Sequence, residues 1–203
     1  SKDYFVINLD FYGFGRSDTP IVPLTLWDYT ESVLAMLEHL GIENTHIIAH
    51  SFGGRVAIDI ASRRPDLVNK LILVDSAGVK PRRGIKYWFK VFVYKFLKFL
   101  SKIFKKIDLS RYGSADWRAL SPVMKATFKN IVNFDLTPQL SKITSSTLII
   151  WGENDKDTPL YMARKINKLI KNSTLVIFKN AGHFSYIDKY AQFLAVADRF
   201  LEG

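Results

Sequence analysis

Five short runs of almost wholly apolar residues recur along the chain, and stretches with helical spacing separate them. The runs are Tyr4–Leu9, Thr45–Ala49, Lys70–Val74, Thr147–Trp151 and Thr174–Phe178. A strand covered on both faces has no solvent side, so its sequence reads as continuous rather than alternating apolar. Strands of this kind joined by helices build a parallel sheet with helices on both faces, the α/β class. Helices are expected over Leu26–Leu40, Phe52–Arg64, Pro159–Ile170 and Tyr190–Leu201. Thr25 is placed to cap the first of them and Gly41 to stop it, while Pro65 ends the second.

The alternation breaks between the third and fourth runs. Residues 78–143 form a helical insertion, which divides the chain into a core of residues 1–77 and 144–203 and a cap lying over the sheet's carboxyl end. Phe89, Phe92, Val93, Phe96, Leu100, Ile103 and Ile107 fall on one helical face, with Lys95, Lys98, Lys102 and Lys105 on another. Ser121-Pro122 then reads as an N-cap followed by Pro at the first helical position, opening a helix to about Phe134.

The net charge of +10 belongs to this insertion. Lys80, Arg82, Arg83, Lys86, Lys90, Lys95, Lys98, Lys102, Lys105 and Lys106 occur without an acidic residue among them, and the rest of the chain balances. A charge so localised gives no ground for nucleic-acid binding by the body of the protein. It does suggest a weak contact of residues 80–107 with a membrane surface, beside the plainer reading of a cap helix with its lysines in water. The chain has no cysteine, which excludes disulfides and Cys-based metal sites and fits a cytoplasmic location. No apolar run approaches the roughly 18 residues of a membrane span, and no signal-peptide pattern opens the sequence.

Three strand ends carry chemistry. After the second run, Ala49-His50-Ser51-Phe52-Gly53-Gly54 sets a serine on a tight strand-to-helix turn, with small residues two before and two after it. The turn exposes the hydroxyl at a helix N-terminus, where backbone N–H groups favour a developing oxyanion. A serine hydroxyl needs a base, and a neutral histidine needs an acid to fix its tautomer. Trp151-Gly152-Glu153-Asn154-Asp155 supplies a carboxylate beyond the fourth run, and Asn180-Ala181-Gly182-His183-Phe184 an imidazole beyond the fifth. Asp157 is a rival acid two residues further on. His39, His46 and His50 lack ligand spacing and read as structural or solvent-facing, with His50 turned away from the reacting atom; no metal site is expected. The Gly13-Phe14-Gly15 turn is too short for a dinucleotide fingerprint, so no cofactor is implied.

With its serine, acid and histidine in that order, and with Asp10-Phe11-Tyr12-Gly13-Phe14-Gly15-Arg16-Ser17 matching a loop usual there, the chain resembles the α/β-hydrolase superfamily from Asp3 to its end. The resemblance implies Ser51 as nucleophile, His183 as base and Asp155 as acid, since the family's Gly-x-x-Asp pattern fits Gly152 and Asp155. It also makes the Phe52 amide one oxyanion-hole donor. The family's second donor comes from a His-Gly loop ahead of the first strand matched here, and no such loop occurs in this sequence. An absent N-terminal segment is therefore expected, leaving a sheet edge open to pairing as a homodimer.

The function expected is cofactor-free hydrolysis of an ester or related compound with an apolar acyl group. A carbon–carbon bond hydrolase of the meta-cleavage type runs on the same triad and is the enzymatic alternative. A ligand-binding protein of low turnover on the same fold is the alternative outside catalysis.

Overall fold

The computed structural model describes residues 4–82, 84, 92 and 119–203. Four parallel strands, β1 (Thr45–His50), β2 (Val68–Val74), β3 (Ser146–Gly152) and β4 (Ser173–Phe178), lie side by side in chain order. Helices with described bounds are α1 (Leu26–His39), α2 (Phe52–Arg63), α3 (Pro122–Val132), α4 (Thr137–Leu140), α5 (Tyr161–Leu169), α6 (Ser185–Asp188) and α7 (Tyr190–Glu202).

Side-chain alternation along the central strands divides the core in two, as the pleat requires. Leu71 and Leu73 of β2, with Ile149 and Trp151 of β3, pack under α1, α2 and α5. Ile72 and Val74, with Leu148 and Ile150, face the other way and meet α7 through Ala197 and Phe193. Both faces of the sheet are covered. The expected fold class holds.

Local signals act as the sequence suggests. Thr25 and Asp28 close a reciprocal capping box at the start of α1, and Gly41 leaves the helix at φ +68°. Ser121 caps α3 through Met124 N, with Pro122 at its first position.

The first expected strand is not one. Residues 4–10 form no ladder, and the run docks by side chains instead. Ile7 and Leu9 are half-buried against the core, the Tyr4 ring meets His46 edge-on at 5.8 Å, and Phe5 stays 86% exposed. A strand is held by hydrogen bonds to a neighbour, and apolar packing alone does not supply them. Among the described residues, β1 pairs on its β2 side only.

Most of the expected Lys-and-aromatic helix, and with it most of residues 80–107, lies outside the described residues. The described end of the insertion is tied to the core. Arg55 of α2, 5% exposed, donates from Nη1 to the Phe134 carbonyl at 2.8 Å and from Nη2 to Val132 at 3.3 Å. It thereby satisfies carbonyls that the end of α3 leaves without intrahelical partners. Burial pulls the guanidinium down to about 10, so it remains charged at neutral pH. Thr127 accepts from Leu24 N and Asn130 donates to the Leu24 carbonyl, fixing α3 to the loop before α1. Among the described residues no helix is long and apolar enough to cross a membrane.

Candidate active site

The sharp turn between β1 and α2 holds Ser51 at φ +48° and ψ −113°, a conformation that costs a non-glycine residue energy and persists only when its surroundings impose it. They do so through the end of β2. Ser51 N donates to the Val74 carbonyl at 3.1 Å, and the Ser51 carbonyl accepts from Ala77 N at 2.9 Å and Gly54 N at 3.1 Å.

The tight packing falls one residue later than the motif suggests. A Cβ at Gly53 would make only ordinary contacts at 3.9 Å, whereas one at Gly54 would lie 1.9 Å from Ser76 Oγ. Gly54 is the residue that lets α2 approach the β2 end.

The three residues singled out in the sequence meet at the carboxyl end of the sheet. His183 Nε2 lies 2.9 Å from Ser51 Oγ, and His183 Nδ1 lies 2.9 Å from Asp155 Oδ2. The Asp155 side chain has no solvent exposure and that of His183 only 14%. Asp155 Oδ2 also accepts from Thr158 Oγ1 at 2.6 Å, and Oδ1 accepts from the backbone N–H groups of Asp157 and Thr158. Burial pushes the Asp155 carboxyl up, but the hydrogen bonds from His183 and Thr158 together outweigh it and hold the group below the usual range. The hydrogen bond to Asp155 raises the His183 imidazole against burial, with the charges of Asp155, Asp157 and Asp75 adding to it. Asp157 thus contributes charge from the surface, while Asp155 makes the hydrogen bond.

Asp155, Asp157 and His183 bring ligand-type atoms within 4.8 Å of one another. Both ring nitrogens of His183 are already engaged, by Ser51 and Asp155.

Phe52 opens α2, so its amide is one of the first-turn N–H groups without an intrahelical acceptor. Its ring is fixed from three sides: edge-on to Phe11 at 5.3 Å and Tyr29 at 5.1 Å, stacked with Phe14 at 5.7 Å. Tyr29 is fully buried and donates its hydroxyl to the Tyr12 carbonyl at 2.9 Å, pinning the start of the Gly-Phe-Gly turn whose Phe14 stacks on Phe52.

Thr158 and Asp75 escape the sequence reading, and His50, read there as structural, gains a partner. Thr158 braces Asp155. His50 does not simply turn away: Nε2 donates to the His183 carbonyl at 2.7 Å, and the two rings lie 4.9 Å apart. Burial pulls the His50 imidazole down, outweighing the bond to the His183 carbonyl, which by itself favours the charged ring. Asp75, fully buried and at φ +43°, follows β2 and bonds both to Gly152 and to Ser185. An acid directly after the apolar run 70–74, at a strand's carboxyl end, is the signal that marks it.

A profile of the α/β-hydrolase fold matches residues 1–115 and 109–190. The chain is 26% identical over 220 residues to a 2-hydroxy-6-oxo-6-phenylhexa-2,4-dienoate hydrolase of Comamonas testosteroni, covering 98% of this chain and 77% of that one. A meta-cleavage product hydrolase structure from Pseudomonas fluorescens superposes with a TM-score of 0.68 at 20% identity, over 95% of this chain and 78% of the other. The enol-lactonase of Burkholderia xenovorans does so with a TM-score of 0.71 at 22% identity, over 96% and 79%.

Proposed function

Because the chain belongs to the α/β-hydrolase fold family, we propose that Ser51, His183 and Asp155 act as a nucleophile–base–acid triad that hydrolyses a carbonyl compound with an apolar acyl group. The observation that carries this is the continuous relay Ser51–His183–Asp155, at 2.9 Å in each step. Asp155 accepts from Nδ1–H, so the lone pair of Nε2 faces the serine hydroxyl. His183 takes the hydroxyl proton as Ser51 Oγ bonds to the acyl carbon, and the carbonyl electrons move to oxygen. The oxyanion develops at the N-terminus of α2, with the Phe52 amide as a donor. Its collapse breaks the bond to the leaving group, which receives the proton from His183. Water, deprotonated by His183, then cleaves the acyl-serine ester and restores the hydroxyl.

An ester oxygen is the simplest leaving group. The relative from Comamonas testosteroni favours a second reading, in which the group that leaves is carbon. The triad serves it unchanged when a vinylogous carbonyl takes up the electron pair as a dienolate. The apolar acyl preference draws on Phe14 and Phe184, both exposed and packed beside Phe52 and His183. Residues 78–143 would close the site as a cap, with α3 seated on the Gly13 turn through Met124.

The test is turnover of p-nitrophenyl esters of increasing acyl length beside a vinylogous diketone. Ester turnover that rises with acyl length supports the first reading, and selective cleavage of the diketone supports the second. No turnover of either, with Ser51 inert to a fluorophosphonate, would leave a binding protein on a hydrolase fold.

A further inference from the structure

We propose that Asp75 is a positioning residue: its buried carboxylate clamps the end of β3 to the loop carrying His183, so that the imidazole meets Asp155 and Ser51 together. The inference rests on the triad reading above and adds to it a fourth residue.

Three donors from two distant parts of the chain converge on Asp75. Oδ1 accepts from Gly152 N at 2.7 Å, where β3 passes into the segment that bears Asp155. Oδ2 accepts from Ser185 N at 3.0 Å and Ser185 Oγ at 2.5 Å, two residues beyond His183. The Asp75 carbonyl lies 3.1 Å from Thr158 Oγ1, whose single proton goes to Asp155 Oδ2 at the shorter 2.6 Å, so the backbone of Asp75 packs against that brace without adding a bond. The two triad members that must meet therefore stand on segments fastened to one side chain.

The chemistry of the partners selects a carboxylate. All the groups around it donate, and an ionised carboxylate is acceptor-only with two oxygens. Asparagine would turn an amide N–H₂ against one of those donors. Simple filling of the space calls for neither a charge nor a positive φ on a non-glycine residue, yet Asp75 has both side chain and backbone in costly states.

The arrangement also has an electrostatic side. Asp155 faces Asp75 from the β3 loop and His183 from the β4 loop, while Asp157 and His50 act on His183 from the surface and from β1. Burial raises the Asp75 carboxyl to about 6 despite its three hydrogen bonds, so it is ionised at neutral pH, and its charge helps hold the His183 proton.

The experiment compares Asp75→Asn and Ser185→Ala with the wild type in kcat, KM, the pH profile of kcat/KM and the rate of fluorophosphonate labelling. Folding of each is checked by circular dichroism. Asp75→Asn should lower kcat about tenfold with KM nearly unchanged, and should move the acid limb to lower pH, because one negative charge facing His183 is gone. A residue that merely supports the fold would not move that limb. Ser185→Ala keeps the charge and loses one donor, so kcat should fall severalfold with the limb in place. Folded variants with wild-type kcat and an unmoved limb would overturn the clamp. Should Asp75→Asn not fold, Ser185→Ala decides: a lower kcat at unchanged KM supports the clamp, and wild-type kcat overturns it. A wild type that is not labelled at Ser51 would sink the triad reading itself, and the clamp with it.

Discussion

The carboxyl ends of β2 and β3 are neighbours in the sheet, and each delivers a buried aspartate to the same small region. Asp155 accepts from an imidazole, a hydroxyl and two amides and is held below the usual carboxylate range. Asp75 accepts from two amides and a hydroxyl, makes no hydrogen bond to a cationic side chain among the described residues, and is raised to about 6. Burial alone pushes both upward. What separates them is the imidazole bonded to Asp155 and, at Asp75, the repulsion of Asp155 itself. On the triad proposal, the acid paired with the imidazole serves the proton relay directly, and the one surrounded by neutral donors holds the relay's supports in register.

The difference predicts unequal losses. Ser51→Ala and Asp155→Asn should each lower kcat on the order of 10⁴-fold, since triad members act as a unit. A loss at Asp155→Asn no larger than the tenfold expected at Asp75 would erase the distinction between the two strand ends. Next comes Thr158→Val, which removes the hydroxyl 2.6 Å from Asp155 Oδ2. One hydrogen bond to a charged acceptor lost should slow turnover about tenfold, as steady-state kinetics would show.

Gly54→Ala probes the β2 end as packing. Its new methyl would run into Ser76, and overpacking of this kind costs about 1–3 kcal/mol. The readout is the midpoint of denaturant unfolding, and an unchanged midpoint would mean that Ser76 yields freely.

The pH dependence follows from His183. Its pKa is raised above the ordinary 6.5, chiefly by the hydrogen bond to Asp155. A raised pKa keeps the proton to higher pH, and the base must be neutral, so kcat/KM should climb through an inflection above 6.5. An inflection below 6.5 would show that burial outweighs the carboxylates. The smallest effect belongs to Asp157→Asn. An exposed charge acting at a distance should change kcat/KM at pH 7 by less than about threefold, with the inflection moved slightly downward.

Ser51, Asp155 and His183 could all be read from the sequence because each follows an apolar strand within a few residues, and its residue type matches a known step in proton transfer. Asp75 occupies the same kind of place, but its role is not legible there, because its donors at Gly152 and Ser185 lie 77 and 110 positions away. Local pattern does not carry contacts of that range. The charge of Arg55 within an otherwise apolar stretch of α2 hints at a buried partner, but carbonyl groups leave no mark in a sequence. At the elbow the motif puts the crowding two residues after Ser51, at Gly53, whereas Gly54 bears it against Ser76, a contact that the local pattern does not carry. The run Tyr4–Leu9 fails for a related reason. Its composition matches that of β1, but composition records the affinity of side chains for a core, and a strand also needs a neighbouring backbone.

The central claim is that His183 and Asp155 activate Ser51. Incubation with a fluorophosphonate, followed by intact-mass measurement and peptide mapping, tests it most directly. The expected result is a single covalent adduct on Ser51, absent from Ser51→Ala and formed far more slowly in His183→Ala and Asp155→Asn. An unmodified protein, or an adduct elsewhere that persists in Ser51→Ala, would contradict it.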